Sequence, residues 1–513
     1  GAVFARARDV LATLLSAVLV GIDARLVHVE VDVSPGLPTF TVVGLPDAIV
    51  RESRDRVRTA IRNSGFEFPW QHITINLAPA DVRKEGAAYD LPIALGILAA
   101  TGALSRRAPD DVLCVGSLSL DGAVRPTGGI LPFAMAAARG GVHAVMVPAA
   151  NAAEASAVSG LGVWPVASLL DATSLVSDLR EERRYRGAAA PAAAVQAAPH
   201  PDFAEVRGQP VARRALEVAA AGGHHVLLTG PPGSGKTMMA RSLAGILPPL
   251  SREESLEVTS IHSVAGLLPA GSGLIAARPF RAPHHTISDV ALVGGGAHPR
   301  PGELSLAHGG VLFLDELPEF ERRALEALRQ PLEEGRVRIA RAAATVEFPA
   351  LVTLVGAMNP CPCGYFGHPL RACRCAPVQR ERYAARISGP LLDRIDLCVE
   401  VPWVPPDVLV DERPQEGSSA MRERVTLARA RQASRQPETG AATNARLTGR
   451  ALRTLARPDA EGRALLGAAM ERLALSGRAH DRVLRVARTI ADLAGDGTVG
   501  AGHVAEALQY RLG

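Results

Sequence analysis

Eight residues, Gly230-Pro-Pro-Gly-Ser-Gly-Lys-Thr237, carry the spacing that lets a polypeptide backbone hold a phosphate chain. Glycines at 230, 233 and 235, with Ser234 between the last two, permit the bend that turns successive N–H groups toward one anion. The apolar run Val226-Leu227-Leu228 and the helix-forming segment from Met238 predict strand, loop and helix, so a helix N-terminus adds its dipole. Lys236 can then reach the β- and γ-phosphates, and the Thr237 hydroxyl can join Mg²⁺. Farther on, Val311-Leu-Phe-Leu-Asp315-Glu316 predicts a buried strand ending in two carboxylates. Asp315 suits a metal-holding role, and Glu316 the polarisation of an attacking water. A Gly-Pro-rich turn can match the first segment by chance. Together the two segments imply binding and hydrolysis of a nucleoside triphosphate, ATP with Mg²⁺.

A second cluster is sulfur. Cys361-Pro-Cys363 and, after nine residues, Cys373-Arg-Cys375 place four thiols in two close pairs across a short loop. Such a set can supply a tetrahedral Zn²⁺ site, although Cys-x-Cys is tighter than the usual Cys-x-x-Cys. Four sulfurs leave no open position, so the expected role is structural. Cys114 and Cys398 fall in apolar strands and are expected in the core. His284-His285 lack an obvious third ligand apart from Asp289, and a loop-ordering role is expected for them.

The elements that must position these groups follow from length and pattern. At 513 residues with 47% hydrophobic and 21% charged composition, the chain is globular and too long for one core. Alternation in Leu26–Val33 and Thr39–Val43 around Ser-Pro-Gly-Leu-Pro predicts a hairpin. A helix from Asp47 to about Asn63, the strand His72–Leu77, a helix from Asp90, a hairpin about Leu120–Ala123, a helix at 130–139 and the strand Ala144–Val147 follow. Mixed elements of this kind predict an α+β domain over 1–177. The apolar run Val10–Ile22 after Arg6 and Arg8 superficially resembles a signal peptide. Asp9 and the missing cleavage pattern argue against that, and a cytoplasmic protein with no membrane partner is expected. Charged and Ala/Pro-rich residues 178–200 read as a linker, 201–405 as the ATPase core, and 406–513 as a helical region.

Charge is uneven. Residues 421–490 hold fifteen arginines, no lysine and six acids, which suggests an anionic partner, with ordinary solvated helix faces as the alternative. Only Lys84 and Lys236 are lysines, so each marks a place where a compact ammonium is useful. Residues 333–348 alternate about a small-residue turn and predict a hairpin bearing Arg336, Arg338 and Arg341.

Three longer runs surround the phosphate site: Arg278-Pro-Phe-Arg-Ala-Pro-His-His-Thr286, Pro301-Gly-Glu-Leu-Ser-Leu-Ala-His308 and Val311-Leu-Phe-Leu-Asp-Glu-Leu-Pro-Glu-Phe320. They resemble the magnesium-chelatase-like branch of AAA+ proteins, and nearly the whole chain resembles the ComM/YifB family. The resemblance implies an α/β fold. It comprises an AAA+ P-loop core with a cysteine insertion at 361–375, an N-terminal α+β Lon-protease-like (ribosomal S5 domain 2-like) domain, and a C-terminal helical lid. It also implies roles for matching positions. Asn359 matches sensor 1, which orients the attacking water. Arg394 matches the arginine finger that enters a neighbouring subunit's site. Arg478 best matches sensor 2, with Arg482 a nearby competitor. In active Lon-type enzymes a Ser follows the Lys-Asp-Gly turn and a Lys follows the later Gly-Gly. This chain has Ala88 and Pro132 there, so no peptidase dyad is expected. Lys84 remains, to bind an anion or cap the fold.

What the resemblance implies is a hexameric ring that moves single-stranded or branched DNA, since ComM members promote branch migration during natural transformation. In related ring helicases the hairpin at 333–348 faces the pore. The alternative is a chelatase-like or remodelling ATPase acting on a protein. Chelatase motors normally lack both the Lon-like domain and the cysteine insertion.

Overall fold

The computed structural model describes residues 11–104, 111–177, 183–185, 200–296, 299–340, 345–410 and 413–511. Two compact units divide the chain. The first comprises residues 1–196 with 251–276, the second residues 197–250 with 277–513.

The first unit is built on a seven-stranded sheet. Its order is Thr39–Val43, His72–Ala78, Asp23–Ser34, Leu11–Val20, Val112–Cys114, Ala144–Pro148 and Gly162–Val166. The apolar run near the start of the chain is therefore a strand. It pairs antiparallel with Asp23–Ser34 across a tight turn at Gly21, whose φ is +66°. The expected hairpin of Leu26–Val33 with Thr39–Val43 does not form. Strand His72–Ala78 lies between them, antiparallel to the first and parallel to the second. Burial explains the order. Ile73, Ile75 and Leu77 are fully buried opposite Val33, Val31 and Val29, whereas Thr39–Val43 buries no side chain completely and suits an edge.

Period-two alternation then makes two cores, one on each face. Val112, Cys114 and Met146 join Leu91, Ile93 and Ile97 of helix Asp90–Ala100 on one side. Leu113, Val115 and Val145 join Ile130 and Phe133 of helix Ile130–Arg139 on the other. The helix expected over 47–63 is present as two consecutive pieces, Ala48–Arg51 capped by Asp47, and Ser53–Asn63.

Residues 251–276 lie inside the expected ATPase core in sequence but pack with the first unit. Helix Arg252–Val264 is started by a capping box, in which Ser251 and Glu254 satisfy each other's N–H groups. At its far end the Gly129 N–H donates to Ser263 Oγ (2.9 Å), and the Ser263 hydroxyl donates to the buried Glu154. Glu154 also accepts from the Leu131 N–H (2.8 Å) and Asn151 (3.0 Å). Burial raises its pKa, and these donors oppose the rise.

In the same unit Ala88 and Pro132 are buried. Lys84 is buried too, and its ammonium donates to the Pro79 carbonyl. Its own backbone N–H and C=O pair with Leu45 and Asp47. Of the two roles expected for it, capping the fold is the one these contacts display.

The second unit holds a five-stranded, wholly parallel sheet. Its order is Phe280–Arg281, Val311–Leu314, Thr353–Met358, Val226–Thr229 and Leu397–Glu400. Helices Pro210–Gly222 and Lys236–Ile246 cover it. The C-terminal helices pack within the second unit. Met421 and Val425 of Ser418–Thr439, and Val483 and Ala487 of Gly477–Ala494, share one core with Leu216 and Leu228. No described helix is long and apolar enough to cross a membrane.

Gly96 tests the first unit's packing. A Cβ there would lie 2.6 Å from Val31 Cγ2 and 3.1 Å from Leu14 Cδ1. Both belong to central strands, and a β-branched valine cannot swing away. Alanine gains about 1 kcal/mol in helix propensity, but overpacking costs about 1–3 kcal/mol. Gly96→Ala is therefore expected to destabilise this unit by about 1 kcal/mol, read from urea unfolding. A stabilised variant would show that the sheet yields.

Candidate active site

Parallel register brings the chemistry together. Thr229 is level with Met358, and Leu314 is level with Gly356, so three neighbouring strands end on one edge. The residues leaving them are Gly230, Asp315 and Asn359, and this edge is where open parallel sheets bind ligands.

Two glycines of the loop need positive φ: Gly233 at +77° and Gly235 at +89°, the latter as N-cap of Lys236–Ile246. Gly230 is required for a different reason, because a Cβ would sit 2.1 Å from the Val401 carbonyl. Ser234 Oγ is buried with no hydrogen-bond partner among the described residues. Lys236 lies under the loop, its ammonium donating to the carbonyls of Gly230 (2.6 Å) and Pro231 (2.9 Å) and to Asn359 Oδ1 (3.4 Å). Burial lowers its pKa, and Asp315 and Glu316 partly restore it. The Thr237 hydroxyl donates to Asp315 Oδ2 at 2.8 Å. That places a hydroxyl and a carboxylate oxygen side by side, a donor set that suits Mg²⁺ completed by waters and phosphate.

Glu316 occupies the left-handed region, φ +53° and ψ +46°, which costs a non-glycine residue about 1–2 kcal/mol. Its N–H donates to Asp315 Oδ1 (3.0 Å), and its carboxylate stands half-exposed 3.5 Å from His285 Nδ1. His285 therefore orders more than its own loop. The His284 ring lies 4.1 Å from it and Phe320 6.4 Å away, while Arg281, three and four residues earlier, grips Glu303 with two 2.6 Å bonds. No motif in the sequence marks this His–Glu proximity. It arises because Phe280–Arg281 is the strand next to Val311–Leu314.

The cysteines converge. All four Sγ atoms lie within 4.8 Å of one another, with Cys361–Cys363 at 3.4 Å and both Cys361–Cys373 and Cys363–Cys373 at 3.6 Å. A tetrahedron with Zn–S bonds near 2.3 Å spaces its sulfurs about 3.8 Å apart, so the set fits zinc. Backbone N–H groups of Tyr365 and Arg374 point at Cys363 and hold its thiol at about 6, where the thiolate forms readily. Cys114 is buried, and burial pushes its thiol up; Cys398 is half-buried with the same direction. A cavity of about 450 Å³ beside Gly233–Gly235 is faced by Tyr365 and His368 of the cysteine loop and by Trp403.

The arginines gather elsewhere. A cavity of about 290 Å³ is lined by Arg394, Arg446, Arg478, Arg482 and Arg485, and it shares no lining residue with the cavity at the glycine loop. Arg394 donates to the carbonyls of Arg329 (2.8 Å) and Pro390 (2.7 Å) and to Glu333 (2.5 Å). Arg482 is buried, 3.8 Å from Asp393 and 4.0 Å from Asp396, with Nη1 lacking a hydrogen bond. Arg478 is exposed and makes no hydrogen bond or ion pair among the described residues.

The hairpin is Arg336–Ala340 with Thr345–Pro349. Arg336 and Arg338 both pair with Glu347, at 3.2 and 2.7 Å, and Arg338 also meets Glu334 at 3.3 Å. Its positive charge is thus largely matched locally. Arg341 lies outside the described residues.

Family models place the same layout on the sequence. "Magnesium chelatase, subunit ChlI" matches residues 202–409, "Subunit ChlI of Mg-chelatase" residues 29–151, and "Magnesium chelatase, subunit ChlI C-terminal" residues 415–511. The protein YifB of Escherichia coli K12 is 44% identical over 492 residues, covering 96% of this chain and 95% of its own length. Competence protein ComM of Haemophilus influenzae is 43% identical over 505 residues, covering 98% and 97%. A Lon protease of Chloroflexus aurantiacus is 32% identical over 138 residues, covering 25% of this chain and 16% of its own. With identity at this level along almost its entire length, the chain belongs to the ComM/YifB family of magnesium-chelatase-like AAA+ proteins.

Proposed function

We propose that the chain is an ATP-driven motor on DNA that works as a head-to-tail ring, of the kind that moves branched junctions. The observation that carries the reading is the split of its catalytic groups between two separate cavities. The glycine loop, Asp315, Glu316 and Asn359 stand at one. Arg394 and Arg478 converge at the other, which no residue of the glycine loop lines. A nucleotide held by the loop of one subunit meets those guanidinium groups only if a neighbour supplies them. Repeated head-to-tail contact of this kind closes into a ring when its rotation permits, and hexamers are the expected size.

Within one site the roles divide by position. Loop N–H groups, Ser234 and Lys236 hold the phosphates. Thr237 and Asp315 hold Mg²⁺, which supplies charge neutralisation at the phosphates when bound. Glu316 takes the proton of the attacking water, His285 and Asn359 keep that region ordered, and Arg394 stabilises charge on the transferring phosphoryl group. The four thiolates hold one zinc as a structural clasp. DNA as the substrate is supported by the similarity to a protein named for competence and by the exposed arginine-bearing hairpin.

Binding and turnover are expected to separate. Lys236→Ala loses nucleotide affinity, because the ammonium touches the ground-state phosphates. Glu316→Gln keeps affinity and loses about 10²–10⁴ in kcat, because its carboxylate acts on the water. Isothermal titration beside a phosphate-release assay checks both, and equal loss of binding in the two variants would remove these assignments.

Arg394→Ala is expected to lower turnover by about 10³ or more. Mixing it with Lys236→Ala subunits should restore part of the activity, since an intact finger then faces an intact loop. Mixtures no more active than their components would argue for a site completed within one chain.

The hairpin makes a directional prediction about DNA. Glu347→Gln removes the carboxylate shared by Arg336 and Arg338 and leaves Arg338 with Glu334 alone, so duplex and forked DNA should bind more tightly. The slope of log K against log salt should steepen by roughly 1–2, as new phosphate contacts release counterions. Arg336→Ala/Arg338→Ala should lose DNA-stimulated turnover and keep the basal rate. A protein that ignores every DNA form, with or without ATP, would make a protein substrate the better reading.

A further inference from the structure

The glycine loop accounts for phosphates but leaves the other end of the nucleotide without a protein partner. Beside Gly233–Gly235 and Met238 opens the cavity of about 450 Å³, large enough for a nucleoside. Its far wall comes from the loop between the two cysteine pairs. Tyr365, His368, Leu370 and Arg371 all line the cavity, together with Trp403 from the segment after the last strand of the sheet.

These side chains form a connected surface. The rings of Tyr365 and His368 lie 5.6 Å apart, and those of His368 and Trp403 also 5.6 Å apart. His368 Nδ1 accepts from the N–H groups of Leu370 (3.1 Å) and Arg371 (3.2 Å), which fixes the ring. The Tyr365 hydroxyl accepts from Arg371 at 2.7 Å. Aromatic faces held in this way are what a nucleobase stacks on.

The loop that carries this surface is held by side chains rather than by a backbone ladder, among them the Arg380 guanidinium 4.0 Å from the Phe366 ring. Residues 364–372 contain no helix or strand, and Phe366 and Leu370 are 49% and 73% exposed. Two restraints act at its start. Gly364 N–H donates to the Cys361 carbonyl (2.9 Å), and its backbone abuts the glycine loop, where a Cβ on it would lie 2.8 Å from Pro232 Cγ and Cδ. Its two ends meet at the thiols of Cys361, Cys363, Cys373 and Cys375, which lie within 4.8 Å of one another.

We propose that the zinc-clasped loop 364–372 is the nucleoside wall of the ATP site, so that metal occupancy of the four thiolates sets nucleotide affinity. The inference rests on the ATPase reading above and deepens it: zinc acts at the substrate pocket through Tyr365, His368 and Arg371. Tyr365 and His368 are positioning residues for the nucleoside and take no part in phosphate chemistry.

The test compares two ligands on the full-length protein. ATP uses both the glycine loop and the wall, whereas inorganic tripolyphosphate uses the glycine loop alone. With Mg²⁺ present, stripping zinc with a chelator is expected to weaken ATP binding about tenfold or more, and tripolyphosphate binding less than twofold. Tyr365→Ala/His368→Ala, at partly exposed loop positions, should show the same loss for ATP while metal analysis still finds one zinc. Restoring zinc to the stripped wild type should recover ATP affinity.

The proposal is overturned if ATP affinity is unchanged by both treatments, if ATP and tripolyphosphate weaken together, or if the purified protein carries no metal on these thiols. Wild-type protein with zinc that binds neither ligand would instead bring down the ATPase reading, and this one with it. Normal tripolyphosphate binding in each sample is the control that the fold has survived.

Discussion

Everything at the active site depends on the register of three parallel strands. Hydrogen bonds fix Thr229 against Met358 and Leu314 against Gly356, so Gly230, Asp315 and Asn359 leave the sheet at nearly the same height. A slip of one residue would turn each following side chain to the opposite face. The register is held by burial on both faces, because every residue of Val311–Leu314 and Thr353–Met358 is buried. The 2.8 Å bond from Thr237 to Asp315 is the visible result: two residues 78 positions apart in sequence meet because their strands cannot shift.

The legible parts of the molecule were those written in adjacent residues. The glycine loop, the strand ending in Asp315-Glu316, the paired cysteines and helix 130–139 each occupy one short stretch, and the structure places them as strand end, loop or helix accordingly. Pairing was less legible. The Pro-Gly segment at 35–36 reads as a hairpin turn, yet the deciding quantity is how much each strand can bury, and Ile73, Ile75 and Leu77 outbid Phe40 and Val42 for the inner position. Helix Arg252–Val264 illustrates the same limit. Its caps are local, but its partners, Gly129 and Glu154, lie more than a hundred residues earlier in sequence. His285 reads in the sequence as a loop residue, because its nearness to Glu316 follows from sheet order alone.

Net charge also misleads when the pairing of each group is ignored. The arginine excess over 421–490 suggested a surface for an anion, yet much of it is engaged within the unit. Arg424 pairs with Glu217 and Glu416, Arg429 donates to the Ala220 carbonyl, and Arg485 to Leu447. Arg435 and Arg488 both meet the buried Asp492, to which Asn444 also donates at 2.7 Å. His224 extends this network to the sheet, lying 3.1 Å from Asp396 and 2.8 Å from Thr489. Removing one member of such a buried set costs about 3–5 kcal/mol, because it leaves the others charged and unpaired. Here arginine acts chiefly as a multi-donor tie among the C-terminal helices and between them and helix Pro210–Gly222.

The same accounting separates the arginines available for catalysis from those that are not. A guanidinium that must stabilise a phosphoryl group has to leave its resting partners, and the cost depends on how those partners fare afterwards. Arg482 is 7% exposed, 3.8 Å from Asp393 and 4.0 Å from Asp396, and moving it would take a buried positive charge away from Asp396, which is 9% exposed and keeps His224 at 3.1 Å. Arg394 rests on Glu333, a carboxylate 66% exposed, which water can solvate as soon as the arginine departs. Its bonds to the Arg329 and Pro390 carbonyls hold the rest of the group in a defined orientation meanwhile, so little rotational freedom remains to be lost. Arg478 has no partner to leave among the described residues. Arg394 and Arg478 are therefore less costly to move than Arg482, whose guanidinium is buried in the wall of the same cavity.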